Sequence, residues 1–377
     1  MSPLGIYVHI PFCVRRCKYC DFVSYPWSEE GKIFVELLFT ELNLRIRDAC
    51  FAGRKVQSVY FGGGTPSLLE PSFFEHFLGL LKRQNVLFPS FEVTLEVTPE
   101  TVTPQRLKEW KAIGITRLSI GVQSLQPRYL IFLGRATSLQ RIYKALTTIR
   151  EEGWKNWNVD LIYGLPLQDF EVWQEDIARI LEYAPPHVSI YNLTLEPRVP
   201  LYSFWHRHRR LFPSPEAQAY LFRLAEKRLG DAGYLHYEVS NFALPGFECQ
   251  HNLLYWRNGE YVGLGPSAWT HLEGKRQKNA SSLRTYSRMV RSGKLPVVFE
   301  EKLSQDMKHF ESVALLLRTN HGVPIALLSS PEWGRYVWDL LEEGLLFLRE
   351  GRLCPSSQGY LLLHQMLSEL LARKIAP

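Results

Sequence analysis

Nowhere in its 377 residues does this sequence hold an uninterrupted apolar run near the ~18 positions that a membrane-spanning helix needs. Its first apolar stretch, Ile6 to Ile10, has no basic lead and is too short for a secretion signal. It has no internal repeat and no low-complexity segment, so it reads as one series of distinct elements. No sign of charge is in large excess: 44 Lys and Arg against 38 Asp and Glu leave a formal +6. That surplus permits attraction to an anionic ligand or a membrane surface. It does not by itself indicate nucleic acid, and no RNA-binding motif is visible. Cysteine is scarce, at 6 residues, and nothing marks the chain as secreted, so a disulfide framework is not expected. A reducing, cytosolic compartment is the expectation, with contact at a membrane face left open. What the chain does have is a 46% hydrophobic fraction, enough for a sizeable core, and an ordinary 22% of charged residues. The length suits one large domain with an appendage.

Half of the 6 cysteines nevertheless fall in one short loop, as Cys13, Cys17 and Cys20. Arg15, Arg16 and Lys18 make that loop charged, which argues against a core helix with three small apolar cysteines on one face. Structural zinc wants four ligands in paired short spacings. No second C-x-x-C pair follows, so zinc would need a distant fourth ligand. Haem attachment through C-x-x-C-H fails because Asp21 follows Cys20. Three thiolates do suit an iron–sulfur cluster. On a four-iron cube they leave one iron with an open position, which by analogy with open zinc sites is where substrate chemistry would go.

The elements that follow alternate. Strands are predicted at Ile6 to Ile10, Val56 to Phe61, Phe91 to Val97, Leu118 to Val122, Val159 to Tyr163 and Val188 to Leu195. Helices fall between them: Lys32 to Arg47, a helix N-capped by Ser67 and running through Leu81, one opened by Pro104, Leu139 to Arg150, and Val172 to Tyr183. This α/β alternation predicts a parallel sheet covered by helices and curled into a barrel, or most of one. Reactive residues then belong at the C-terminal ends of the strands. The cysteine loop follows strand one, and Gly62, Gly63, Gly64 and Thr65 follow strand two. Glu96 ends strand three, Gln123 ends strand four, Asp160 lies within strand five, and Tyr191, Asn192 and Thr194 end strand six. Glycine lets a backbone approach a ligand closely, although such a run also serves as a simple tight turn. Glu96, between apolar neighbours, needs a partner: a ribose hydroxyl or a structural salt bridge.

Beyond Leu195 the alternation stops. Residues 205–210, W-H-R-H-R-R, form a basic patch read as a solvated loop. An amphipathic helix, Glu216 to Leu229, precedes Y-E-V-S-N-F-A from Tyr237 and C-Q-H-N-L-L-Y-W from Cys249. Cys249 and His251 are good axial ligands for haem iron, and Tyr255 and Trp256 could lie against a macrocycle. A core histidine beside buried aromatics is the plainer alternative. A glycine-rich loop, Gly263 to Trp269, comes next. Helices at Phe310 to Leu317 and Trp333 to Glu343, a hairpin over Leu345 to Cys354 and a last helix from Gln358 to Leu371 suggest a small winged-helix-like lid. Cys50 and Cys354 read as packing residues. Three regions are expected: a barrel core at 1–197, an α+β extension at 198–300, and a helical, winged-helix-like domain at 301–377.

Cys-x3-Cys-x2-Cys after a first strand resembles the radical S-adenosylmethionine (SAM) superfamily. Y-V-H-I-P-F-C followed by C-K-Y-C-D-F resembles, more narrowly, the oxygen-independent coproporphyrinogen III oxidase family. The resemblance implies a partial (β/α)6 TIM-like barrel and a [4Fe-4S] cluster on Cys13, Cys17 and Cys20, whose open iron chelates the amino and carboxylate groups of SAM. It implies SAM contacts at Gly63, Gly64, Thr65, Glu96, Gln123, Arg135, Asp160 and Thr194, with Tyr7 and Tyr19 flanking the cluster. In the family a His usually follows Leu-Gly-Arg two residues on. Here Leu133-Gly134-Arg135 runs into Ala136 and Thr137. S-N-F-A followed by C-x-H-N-x-x-Y-W resembles the haem chaperone branch. Oxidases of the family carry a longer N-terminal extension and a further Cys where Phe22 stands here. That branch implies haem as cargo, with contacts at Cys249, His251, Asn252, Tyr255 and Trp256. It implies delivery to client haemoproteins, respiratory and membrane-associated, with a homodimer as one expected assembly and no nucleic-acid partner. The alternative is the oxidase reaction, conversion of coproporphyrinogen III propionates to vinyl groups. No residue is assigned a catalytic role.

Overall fold

A computed structural model describes residues 3–28, 30–47, 53–84, 86–328 and 331–375. β1 (Leu4–Ile10) runs into the short β2 (Phe12–Cys13), which pairs in parallel with β3 (Tyr25–Pro26) across the cysteine loop. Strands and helices then alternate: α1 (Glu30–Arg47), β4 (Val56–Gly63), α2 (Pro71–Arg83), β5 (Leu87–Val97), α3 (Pro104–Ile113), β6 (Arg117–Gln123), α4 (Pro127–Leu133), α5 (Leu139–Glu151), β7 (Trp157–Tyr163), α6 (Phe170–Glu182) and β8 (His187–Asn192). β1, β4, β5, β6, β7 and β8 lie side by side in that order, all parallel.

A seventh parallel strand joins them from far along the chain. After α7 (Pro200–Arg207), α8 (Pro215–Asp231), β9 (Leu235–Glu238), β10 (Asn241–Ala243) and α9 (Gln250–Trp256), β11 (Glu260–Leu264) pairs in parallel with the free edge of β1. The sequence reading has only a glycine-rich loop there, because Gly259, Gly263 and Gly265 break the apolar pattern. β12 (Trp269–Leu272), β13 (Lys275–Asn279) and, after α10 (Leu283–Arg291), β14 (Val297–Lys302) continue the sheet antiparallel beyond β11. β10 and β9 do the same beyond β8. One 12-stranded sheet therefore runs through both sides of position 197. The rest is α11 (Gln305–Leu316), β15 (Val323–Pro324), α12 (Pro331–Glu342), β16 (Leu346–Arg349), β17 (Arg352–Pro355) and α13 (Ser357–Ile375), with β17 between β15 and β16.

Local chemistry explains most boundaries. Thr103 caps α3 by accepting from the Arg106 N–H, Pro104 sits in its first turn, and Gly114 ends it at φ 108°. Ser138 and Asp169 cap α5 and α6 in the same way. Ser67 is not the N-cap of α2. It lies in a 3-10 turn, Pro66–Leu68, and the helix starts at Pro71, whose fixed φ suits a first helical position. The buried Ser67 Oγ accepts from the Thr101 hydroxyl instead, at 2.8 Å. The last barrel strand stops at Asn192. The Leu193 N–H makes a final bond to Tyr163 O, and Thr194 lies in the loop beyond.

Period-two alternation sorts each barrel strand into two faces. Val59 and Phe61, Val93 and Leu95, Leu118 and Ile120, and Val159 and Leu161 are buried under the helices. Phe74 and Phe77 of α2 meet Phe61 edge-on at 5.0 and 5.2 Å between ring centroids. The other face, turned into the barrel, is polar: Tyr7, Ser58, Tyr60, Glu92, Glu96, Arg117, Ser119, Asn158, Asp160, His187, Ser189 and Tyr191. Cys354 is buried; Cys50 lies outside the described residues. Among the described residues no helix is long and apolar enough to cross a membrane.

Candidate cofactor site at the barrel mouth

The glycine turn after β4 is lashed to the cysteine strand. Gly64 N–H donates to Ile10 O at 2.8 Å and Thr65 N–H to Phe12 O at 2.7 Å. A Cβ on Gly64 would sit 2.5 Å from Phe12 O and 2.9 Å from Ile10 O, so only glycine lets these backbones meet. Gly63 N–H donates to Glu96 Oε2 at 3.1 Å. With these three donors committed, the turn can offer a ligand only carbonyl oxygens, which suit an ammonium.

Cys13, Cys17 and Cys20 are all half-buried. Burial pushes the Cys13 thiol up to about 11, against the lowering effect of a hydrogen bond with Thr65, and the charges of Cys20 and Cys17 act on it too. The three thiols are thus neighbours. Among the described residues, though, no three His, Cys, Asp or Glu side chains converge on a single-ion site. The loop between them is held from two sides, by Lys18 N–H to Leu133 O at 2.9 Å and Leu201 N–H to Lys18 O at 3.1 Å. An exposed ion pair joins Asp21 and Arg198. Arg135 reaches Cys17 Sγ with Nη1 at 3.7 Å and Gly121 O with Nη2 at 2.6 Å; its buried Nε has no partner.

Around this centre the other expected contacts assemble unevenly. Gln123 holds a left-handed backbone, φ 73°, beside a register shift after Gly121, the kind of strain that gathers at functional sites. Glu96 is pushed up to about 8, first by burial and then by the Asp160 charge, despite hydrogen bonds from Tyr60 and Gly63. Burial also raises Asp160, which accepts from Asn158 Nδ2 at 2.7 Å. His9 Nε2 sits 2.9 Å from Val23 O, so the proton belongs on Nε2, and Nδ1 accepts from the Tyr7 hydroxyl at 3.3 Å. Tyr19 is packed beside Arg135 and Cys17. Thr194 is exposed, its hydroxyl 3.4 Å from Asn192 O. Tyr191 keeps 41% of its surface open, yet Asp160, Glu238 and Glu96 surround it, so it lines the hollow of the barrel.

Residues 249–256 lie elsewhere. α9 closes the opposite end of the barrel, against the starts of the strands. His251 is buried, with Nδ1 2.8 Å from Ser58 Oγ and Nε2 2.9 Å from Tyr255 OH. Burial drives its pKa down to about 3. Cys249 is fully buried, and burial reinforced by Glu92 pushes its thiol up to about 12. Glu92 caps the helix, accepting from Gln250 and His251 N–H at 3.1 Å each. Asn252 and Tyr255 are half-buried; the Tyr255 ring meets those of His251 and Tyr261 edge-on. Trp256 lies beside the buried Glu238. In this conformation the segment is a plug, and neither Cys249 nor His251 offers a free ligand atom.

Between plug and mouth runs a hydrogen-bond chain that motif reading does not reach. Cys249 N–H donates to the Tyr237 hydroxyl oxygen at 3.3 Å, and that hydroxyl lies 2.8 Å from His187 Nε2. His187 Nδ1 donates to Asn158 Oδ1 at 2.6 Å, and Asn158 Nδ2 donates to Asp160. The signal that finds these residues is the polar member of each period-two pair.

Residues 7–180 match the Radical SAM superfamily. The fold matches that of coproporphyrinogen III oxidase (HemN) from Escherichia coli, a radical SAM enzyme, with a TM-score of 0.81 over 98% of this chain and 90% of that one. At 24% identity this is a likeness of fold. Fold and thiol loop together define a radical SAM protein. Within that class the chain belongs to the haem chaperone HemW family. It is 36% identical to heme chaperone HemW of Mycobacterium tuberculosis over 372 residues, 98% of this chain and 95% of the relative. It is 37% identical to heme chaperone HemW of Escherichia coli over 271 residues, 71% and 70% of the two chains.

The buried Glu96 gives a pH-dependent signature. A carboxyl held above its ordinary value binds more protons folded than unfolded, so stability falls as pH rises from about 4.5 to about 8. Glu96→Gln should flatten that fall, read as the shift in urea midpoint across the range for the ligand-free chain. An equal slope in both proteins would contradict the assignment.

Proposed function

We propose that this chain is a haem chaperone: it binds haem and passes it to client haemoproteins, while carrying a [4Fe-4S] cluster with SAM at the barrel mouth. The near full-length identity to HemW relatives carries this reading. The residues at the mouth fit the cofactors. Cys13, Cys17 and Cys20 supply a soft thiolate set. The carbonyls of Gly63 and Gly64 suit the SAM ammonium, and Glu96 suits ribose hydroxyls. Arg135, with an unpaired Nε, sets a positive charge beside Cys17. Tyr7 and Tyr19 exclude water. Thr65 steadies Cys13, Gln123 and Asp160 line the approach to SAM, and Thr194 stands at the rim. When bound, cluster and SAM would supply one-electron chemistry. Respiratory haemoproteins are the client class, a homodimer the assembly, and the cytosol the compartment, with transfer at a membrane face.

Likeness to the oxidase is one of fold, so oxidative decarboxylation of coproporphyrinogen III is not expected in an anaerobic assay with SAM and reductant. The direct test is haem titration of anaerobically reconstituted protein, followed by mixing with an apo-haemoprotein. One haem per chain and transfer to the acceptor are expected. No stoichiometric Soret shift would defeat the reading.

A further inference from the structure

We propose that Asp176, midway along α6, is a positioning residue for SAM: it holds the turn that presents Gln123 and the helix that leads to Arg135. This rests on the cofactor part of the haem-chaperone reading. Gln123 ends β6 with a left-handed backbone, φ 73°, which a residue with a Cβ keeps only where its surroundings hold it. Its side chain turns back over Gly121: a Cβ there would lie 2.9 Å from Gln123 Nε2 and 3.4 Å from Arg135 Nη2. Two expected SAM contacts therefore stand side by side. The sheet alone does not fix them, because the register of β6 against β7 shifts between Gly121 and Gln123.

The hold comes from α6. Asp176 is fully buried. Ser124 Oγ donates to its Oδ2 at 2.7 Å, Leu125 N–H to the same oxygen at 3.2 Å, and Gln126 Nε2 to Oδ1 at 3.1 Å. Gln126 N–H closes the turn on Ser124 Oγ at 3.1 Å. These bonds run, directly or through one hydroxyl, to a single carboxylate. Burial raises that carboxyl, and the bonds from Ser124, Gln126 and Leu125 pull it back down. α6 is itself a firm base: Ile177 and Ile180 lie in the core, and Trp173 donates from Nε1 to Leu221 O at 2.9 Å.

The same anchor reaches the cysteine loop. Directly after Gln126, Pro127 starts α4, and Gln126 offers that helix no side-chain cap. At the far end of α4, Leu133 O accepts from Lys18 N–H at 2.9 Å. Two residues on, Arg135 reaches Cys17 Sγ at 3.7 Å and Gly121 O at 2.6 Å. Between its ends the helix rests on a small apolar cluster, in which Tyr129 and Leu133 meet Ile162, Leu165 and Leu201. Apolar contact has no direction and tolerates sliding, whereas hydrogen bonds to a carboxylate fix an angle and a distance. Asp176 therefore sets where residues 123–135 stand at the mouth, without itself touching the cofactor.

The test is equilibrium dialysis of radiolabelled SAM against the anaerobically reconstituted full chain, as wild type, Asp176→Ala, Asp176→Asn and Ser124→Ala. Iron per chain and thermal unfolding of the metal-free samples are read alongside. Asp176→Ala should keep its iron and bind SAM at least about tenfold more weakly, the usual penalty for removing a group that orients a ligand's own contacts. Asp176→Asn should restore near wild-type affinity: its amide oxygen keeps the Ser124 and Leu125 bonds, and Gln126 turns its own amide to accept. Ser124→Ala should fall between them, and it carries the test if Asp176→Ala does not fold. Unchanged SAM affinity in Asp176→Ala, or in Ser124→Ala where that stands in, would leave Asp176 a packing residue, however far the unfolding temperature drops, and overturn the proposal. Iron lost together with SAM would overturn it too, making Asp176 a brace of the cysteine loop. If iron-loaded wild type takes up no SAM, the cofactor reading falls and the proposal with it, while haem titration still decides the chaperone.

Discussion

Replacing Glu92 by leucine should lower folding stability by about 3–5 kcal/mol and open the floor of the barrel, because it leaves a buried charge without its counter-charge. Glu92 accepts from the Gln250 and His251 amides and from Cys249 Sγ, and its charge acts on Arg117. Arg117 is 2% exposed, and its Nε has no hydrogen bond. Leucine would remove that compensation and orphan two helix N–H groups at once. The check is a urea midpoint together with mass-mapped alkylation of Cys249, which is fully buried in the intact floor. An unchanged midpoint with Cys249 still protected would remove Glu92 from this role.

The second large effect falls at the mouth. Cys17→Ser should leave the chain folded and abolish cluster assembly, since a serine hydroxyl stays protonated where a thiol ionises to a soft ligand. The loop does not need the thiol to hold its shape: Lys18 bonds Leu133 and Leu201, and Arg135 keeps its bond to Gly121 O. Iron and sulfide per chain after anaerobic reconstitution are the readout, with thermal unfolding of the metal-free samples as control. Full iron loading of the variant would break the three-thiolate assignment. If the metal-free variant unfolds far below the metal-free wild type, Cys17 instead serves packing.

Much of this was legible in the sequence, for identifiable reasons. The six strands after which the mouth residues come are short apolar runs bounded by helices, and that alternation allows few topologies. The cysteine loop declared itself by spacing. β11 stayed hidden because its glycines exist for close approach: a Cβ on Gly263 would lie 2.1 Å from Trp269 O. Such a strand carries little hydrophobic signal. Ser67 looked like a cap because serine before a helical pattern commonly is one, but Pro71 decided the start of α2. For residues 249–256 the order of residue types says nothing of which end of a barrel a segment closes. That is settled by long-range contacts such as His251 with Ser58, 193 positions apart.

The chain of bonds from Cys249 to Asp160 has one sense only. A peptide N–H at one end cannot accept, and a carboxylate oxygen receives at the other, so reversal would require Asn158 to turn its amide and break four contacts at once. Polarised bonds in series strengthen together. A cation arriving beside Asp160 would draw on the carboxylate's lone pairs and so slacken the grip on the first turn of α9, and its departure would tighten it, so occupancy at one pole of the barrel is felt as looseness at the other.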